Sequence, residues 1–484
     1  MLSRLKRLLF NNTTPRQTVV KNTFWLFSGE FFSRLIRGAI VIYSASVLHA
    51  AEYGVFSYVL AVAGFIAIFS DFGISAILTR ESVKHPEAQK EYFATALAIK
   101  AVFLLVNTGI ILFAIPYITK LPGAIPLLPL IALMLVFDTV REFGYSLFRA
   151  HEKMEREALV DLFTNIAVCG LGFFALYVSA TATALLLGYI AGSFLGFIAA
   201  IILLFPYFRD VTKYVRPALV RRIIALAWPI GLLGVLGSLM INTDMIMVAW
   251  FKNAETVGYY AAAQKPIQLL YIVPTLLASA VFPVFARLAK VNNVRFREVF
   301  EKCLVLTFGM AIPVVAVGSV LAPQLIQLLF PGGYEPAVPA FSLLLLTVVF
   351  VFPSALFSNA LFSYNEQRQF LLFVFIGVVS NALLDYLLIP SYGIEGSAVA
   401  TIISQLLTLA LVWRTMAATN PFHIFGRLPR VVSASLLTAA VSYGLNLLAL
   451  PVLLSLGVAI ICYVGLLWLL REPIMREALT VLKS

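Results

Sequence analysis

Five basic side chains lie inside stretches that otherwise read as membrane-spanning helices: Arg34, Arg37, Lys100, Arg141 and Lys265. A charge at mid-bilayer costs about 3 kcal/mol on insertion scales, so a chain that keeps several of them has a use for them. Glu30, Arg34 and Arg37 stand at i, i+4 and i+7 and therefore share one helix face. With that helix entering the bilayer near residue 23, Arg34 lies roughly 16 Å deep, too far for easy snorkelling. Asp138, Arg141, Tyr145 and Arg149 form a similar stripe, with Glu142 beside it. Two readings of these stripes stand. In one, Glu30–Arg34 and Asp138–Arg141 are structural ion pairs that pin helices. In the other, Arg34, Arg37 and Arg141 line a wet cavity and hold an anion. Arginine suits a phosphate because its planar fork binds bidentately and keeps its charge. Lys265, flanked by Gln264 and Gln268, is the basic group that the second half of the chain offers such a cavity. Lys100, about two turns from its helix end, reads as a snorkelling side chain.

Moving an anion against a gradient needs energy, and the chain has no GxxxxGK[ST] phosphate loop. Coupling to H⁺ or Na⁺ through a buried carboxylate is the expected alternative, because desolvation lets a carboxylate exchange protons near neutral pH. The ion-coupling candidates are Glu30, Asp71, Asp138 and Asp161, the last with Asn165 one turn on, a pair suited to Na⁺. Asp244 and Asp385 read as helix-end or gate residues. No cofactor is expected, and the four scattered histidines suggest no metal site.

The elements that must position these groups are helices in a membrane. The 484 residues are 61% hydrophobic and 12% charged, with mean hydropathy +0.96, far from the composition of a soluble chain. The expected fold is an all-α integral membrane protein with about 14 transmembrane helices, at 23–48, 54–78, 92–118, 124–148, 158–178, 181–206, 223–250, 257–286, 303–321, 338–362, 370–390, 396–412, 431–449 and 451–470. The last four are the least sharply separated, so the count runs from 12 to 14. The net charge of +12 does not point to nucleic acid. Of the Lys and Arg residues outside the spans, 28 fall in alternate gaps and the other gaps hold only Lys120 and Lys252. That is the positive-inside pattern; it places both termini in the cytoplasm and makes the chain a multi-pass protein of the cytoplasmic membrane. Residues 1–22 read as a basic cytoplasmic arm rather than a cleaved signal peptide, and 471–484 as a cytoplasmic tail.

The junction Ala51-Glu52-Tyr53-Gly54-Val55-Phe56 is echoed by Glu255-Thr256-Val257-Gly258-Tyr259-Tyr260, with the glycines 204 residues apart. The echo predicts two six-helix lobes in pseudo-twofold arrangement, 23–206 and 223–412, joined by a cytoplasmic linker at 207–222 and followed by two further helices within 431–470. Prolines inside the second-half spans kink helices. Pro229 and Pro266 are the expected hinges.

Three segments carry a family resemblance: Asn242-Thr243-Asp244 running through Phe251 to Val257-Gly258-Tyr259; Asn381 to Asp385, Pro390, Gly393 and Gly396 to Thr401; and Asp71-Phe72-Gly73 with Thr79-Arg80-Glu81. Over essentially the whole chain, the sequence resembles the polysaccharide transporter, or oligosaccharide-lipid flippase, family of the superfamily that also holds multidrug antiporters. The resemblance implies two lobes around a central cavity. It also implies a flippase moving a polyprenyl-pyrophosphate-linked oligosaccharide, such as an O-antigen repeat unit, from the cytoplasmic to the outer leaflet. The partners it implies are that lipid, membrane lipids, a polysaccharide polymerase and glycosyltransferases. A peptidoglycan-precursor lipid flippase and a cation-coupled multidrug antiporter are the alternatives. An enzyme is not expected, because the largest outer segment, 322–337, has Glu335 as its single charged residue.

Overall fold

A computed structural model of the chain describes residues 15–208 and 211–470. Most of the N-terminal arm, with Arg4, Lys6 and Arg7, part of the 207–222 linker and the 471–484 tail lie outside the described residues. Twelve continuous helical stretches among those residues are long and apolar enough to cross a membrane. Two are of double length. In the first, α1 (Pro15–Asp71), the helix breaks at His49 (φ 57°, ψ 172°). The second, Gln367–Thr419, breaks at Gly393 (φ 60°, ψ −136°). Both breaks fall between spans drawn from hydropathy, and each half is long enough to cross by itself at 1.5 Å per residue.

The chain divides by contact into two compact units, Met1–Gly258 and Tyr259–Ser484. The first holds α1, α2 (Ile74–Lys84), α3 (Gln89–Gly109), α4 (Leu128–Ala150), α5 (Met154–Val178), α6 (Ala182–Phe208) and α7 (Pro217–Phe251). The boundary falls inside α8 (Ala254–Leu270), so α7 belongs to the first unit. Lys21, assigned from sequence to a solvated arm, is instead buried on α1 and bridges to Glu155 at 2.9 Å.

Between helices in lipid there is little hydrophobic drive, so small residues that admit close backbone approach do the positioning. Gly188, Gly192 and Gly196 form such a stripe on α6. A Cβ on Gly192 would stand 2.5 Å from the Val168 backbone of α5, and one on Gly196 2.1 Å from Thr164 Oγ1. α5 is thereby held against α6 and also packs along the first half of α1, where Gly29 meets Ala158 and Ile40 meets Gly172. The second half of α1 runs antiparallel along α7, from Gly54 near Ala254 to Gly73 near Ala227. The echoed junctions meet each other there. A methyl on Gly54 would lie 1.8 Å from the Ala254 carbonyl oxygen, and one on Gly258 would lie 1.9 Å from that of Ala50. Each glycine packs on the residue four before the other, the reciprocity that a local twofold axis produces.

The second unit comprises the rest of α8, α9 (Ile272–Val291), α10 (Asn293–Val320), α11 (Thr347–Ser363), α12 (Gln367–Thr419), α13 (Leu428–Leu447) and α14 (Val452–Leu469), with short helices at Ala322–Leu329 and Val338–Leu345. Its core is aromatic: Phe285, Phe296, Phe300 and Phe357 are fully buried, and Phe300 meets Phe285 and Phe357 edge to face. At one end Asn420 Nδ2 donates to Asn293 O and to the Tyr364 hydroxyl, both at 2.9 Å, closing α10 onto α12. Burial pushes that hydroxyl above its ordinary value, so it stays a neutral donor.

Candidate functional site

The polar cluster of the first unit is built on α1, α3, α4 and α5. Arg34 and Glu30, one turn apart, pair at 2.6 Å with both side chains about half exposed. The bond uses Nε alone, so both terminal nitrogens of Arg34 remain as donors. Arg37, exposed on the same face, donates from Nε (3.0 Å) and Nη2 (2.9 Å) to Asn165 Oδ1 on α5. Asn165 Nδ2 in turn donates to Asp161 O (2.8 Å) and Oδ2 (3.2 Å). The Asn165 amide oxygen, expected from sequence to pair with Asp161 around a Na⁺, accepts from Arg37.

Arg141 is placed differently from the other arginines. Its side chain is 4% exposed and pairs with Asp138 at 2.7 Å within α4, with Glu142 3.9 Å away. Of the two readings open for Arg141, this buried pairing with Asp138 is the arrangement of the structural ion pair. Glu142 itself keeps an accessible side chain (64%). Lys100 is corrected as well. It does not snorkel; it is buried beneath the Phe143 ring and bridges to Asp71 at 2.6 Å, with Ser75 Oγ at 3.2 Å. Asp71 is thereby committed to Lys100 and Ser75. The cluster as a whole holds Arg34, Arg37, Lys100 and Arg141 against Glu30, Asp71, Asp138, Glu142 and Asp161, so it is close to neutral and not strongly basic. Its accessible face holds Arg34 and Arg37 beside Glu30 and Glu142, whereas Lys100 and Arg141 are buried in ion pairs.

In the second unit Lys265 is half-buried on α8 and makes its own interactions within the chain. α7 runs unbroken through Pro229, and α8 through Pro266; the break comes at Tyr271. The missing N–H of Pro274 explains its position, because that group would have bonded to the Leu270 carbonyl. Asp385 and Asn381, one turn apart on α12, are buried at 0% and 4%, as is Ser397 beyond the Gly393 break. Both amide atoms of Asn381 lack a hydrogen-bond partner among the described residues. These are not helix-end groups. Two polar residues spaced i, i+4 in an apolar helix were the signal for a buried polar face, and Asp244, 1% exposed on α7, is likewise interior.

Residues 19–289 match the family model described as polysaccharide biosynthesis protein, more than half of the chain. The chain belongs to that family. A second model, MatE, matches residues 229–387. A putative O-antigen transporter of Shigella flexneri is 22% identical over 82% of this chain and 97% of its own length. The probable flippase AglR of Haloferax volcanii is 24% identical over 81% of this chain and 82% of its own. Among solved structures, the lipid II flippase MurJ in an inward closed conformation superposes with a TM-score of 0.74 at 19% identity, over 93% of this chain and 99% of that one. An inward-facing multidrug resistance MATE transporter of the MOP superfamily superposes at 0.65 with 15% identity, over 80% and 95%. The fold of this family member is thus that of the MOP superfamily transporters.

Proposed function

We propose that this protein is a flippase that carries a polyprenyl-pyrophosphate-linked oligosaccharide, an O-antigen or similar repeat unit, from the cytoplasmic to the outer leaflet by alternating access. The observation that carries the reading is the accessible pair on α1. Arg34 keeps both terminal nitrogens for a ligand, and Arg37 is held by a neutral amide that leaves its charge uncancelled. One helical turn apart, they present guanidinium donors at the spacing of a pyrophosphate. The relatives named as an O-antigen transporter and a probable flippase support the substrate class. In this reading both termini lie in the cytoplasm, the membrane is the cytoplasmic one, and the protein performs translocation without bond chemistry. Glycosyltransferases supply the lipid-linked unit and a polymerase consumes it.

In the same reading H⁺ or Na⁺ supplies the energy, through a carboxylate whose proton or ion exchange is linked to the change of access. Glu30, Asp71 and Asp138 each lie against a cation and Asp161 against Asn165.

The likeness to the lipid II flippase fold favours one second reading, the peptidoglycan-precursor lipid. It shares the pyrophosphate and differs in the sugar. Depleting the protein and analysing the lipid that accumulates on the cytoplasmic side tests both. Accumulated undecaprenyl-linked oligosaccharide supports the first reading, accumulated precursor lipid replaces it with the second, and no accumulated lipid sinks both. A multidrug antiporter is less favoured, because Arg34 and Arg37 repel organic cations.

A further inference from the structure

Of all Lys and Arg outside the spans, Lys120 and Lys252 alone lie in the gaps opposite the 28 others. They are 132 residues apart in sequence. In the fold they line one open cavity of about 430 Å³, together with Val55, Leu121, Phe251, Asn253 and the turn at Pro122-Gly123. Ala254, which also lines it, is the residue whose carbonyl oxygen meets Gly54 at the crossing described above.

The surroundings specify depth and chemistry. Tyr117 (89% exposed) precedes Lys120 by one turn, and Trp250 (46% exposed) stands two residues before Lys252. Exposed Tyr and Trp at helix ends mark the headgroup level of a bilayer. The walls are apolar and the charged groups that line the space are both ammonium, a combination that suits a phosphate carried on a lipid. The nearby carboxylates are differently engaged. Glu52 accepts from the Ala182 backbone N–H at 2.8 Å, at the start of α6. Glu255 stands three residues beyond Lys252, in the first turn of α8, and is not among the residues that line the cavity.

We propose that this cavity is a second anion site, distinct from the Arg34–Arg37 face, that takes the phosphate headgroup of a lipid at the end of the molecule opposite its basic loops. Two lipids share that chemistry: a polyprenyl pyrophosphate arriving after translocation, and a resident anionic phospholipid. The existence of the site stands apart from the proposed transport; the arrival of the polyprenyl lipid rests on it.

The test is native mass spectrometry on the purified full chain in detergent, titrated separately with undecaprenyl pyrophosphate, phosphatidylglycerol and inorganic pyrophosphate. The proteins compared are the wild type, Lys120→Ala/Lys252→Ala, Lys120→Arg/Lys252→Arg and Arg34→Ala/Arg37→Ala. Removing two interfacial cations should weaken lipid binding roughly 10- to 30-fold, while the arginine pair keeps it. Weakening for undecaprenyl pyrophosphate alone makes the site a release station; weakening for both lipids makes it a general headgroup site. Inorganic pyrophosphate binding as tightly as the lipids overturns the lipid assignment. Equal binding by the wild type and the alanine pair overturns the site. Should the alanine pair not elute as the wild type does, Lys120→Gln/Lys252→Gln replaces it under the same criteria. The Arg34→Ala/Arg37→Ala protein separates the two ideas: its failure to lose pyrophosphate lipid counts against the transport reading and leaves the lysine site standing.

Discussion

Arg37 on the first helix and Asn165 on the fifth, 128 residues apart, are joined by two hydrogen bonds of 3.0 and 2.9 Å to a single amide oxygen. The pairing fixes the direction of the guanidinium without neutralising it, which an aspartate at the same place would do.

Asn165→Asp should therefore be worse for transport than its size suggests. The carboxylate keeps the geometry and cancels the charge that the substrate needs. We expect surface glycan to fall roughly 10- to 100-fold, the range of one charge-assisted hydrogen bond of about 1.5–3 kcal/mol, with protein level unchanged. Arg37→Lys should also lose activity, since one ammonium cannot bond Asn165 and a phosphate with the same fork. Wild-type glycan in both variants would refute the role of Arg37.

Lys100 on α3 and Asp71 at the end of α1 form an inter-helix ion pair at 2.6 Å, with the lysine side chain buried. Asp71→Ala strands a buried ammonium and should cost about 3–5 kcal/mol, whereas Asp71→Ala combined with Lys100→Met should recover most of it. Thermal unfolding of the detergent-solubilised protein reads both. A double variant no more stable than the single one would show that the pair is not a unit.

The α6 glycine stripe has a built-in control. Gly192→Val drives side-chain atoms into the Val168 backbone and should cost about 1–3 kcal/mol or prevent accumulation of folded protein. Gly170, with nothing within 4 Å of its would-be Cβ, should accept alanine, with a gain of about 0.5–1 kcal/mol in helix propensity. Monodisperse elution on size exclusion and the melting temperature distinguish the two outcomes.

The two helix breaks should respond oppositely. Gly393 holds φ 60° and ψ −136°, a region costly to any other residue, so Gly393→Ala should lower stability by about 1–3 kcal/mol. His49 already bears such strain at φ 57°, and His49→Gly should be neutral or stabilising. A melting temperature that falls with His49→Gly and holds with Gly393→Ala would contradict this.

Much of this molecule was legible in its composition and periodicities. Hydropathy placed the spans on either side of both breaks, because a helix that crosses lipid must be apolar for about 20 residues. The i, i+4, i+7 spacing put Glu30, Arg34 and Arg37 on one face, since 3.6 residues per turn is a local property. The echo at Gly54 and Gly258 pointed to two junctions that the fold brings together reciprocally. What local periodicity does not contain is the partner across helices. It left Arg141 open between an ion pair with Asp138 and an anion-holding role, and packing buried it on Asp138. It left Lys100 to snorkel, whereas Asp71 reaches it from 29 residues away. It offered Asn165 to a cation, whereas Arg37 takes its oxygen.

By itself, then, the sequence determined that this is a multi-helix membrane protein, which residues share each helix face, and which loops carry its basic charge. These follow from hydropathy and the helical repeat, and both are properties of neighbours along the chain. Only the tertiary structure decided which charges cancel, which stay exposed, and that Lys120 and Lys252 border one cavity. Those outcomes depend on the approach and register of helices far apart in sequence, set at glycines such as Gly192 and Gly54 where the absence of a side chain lets two backbones touch.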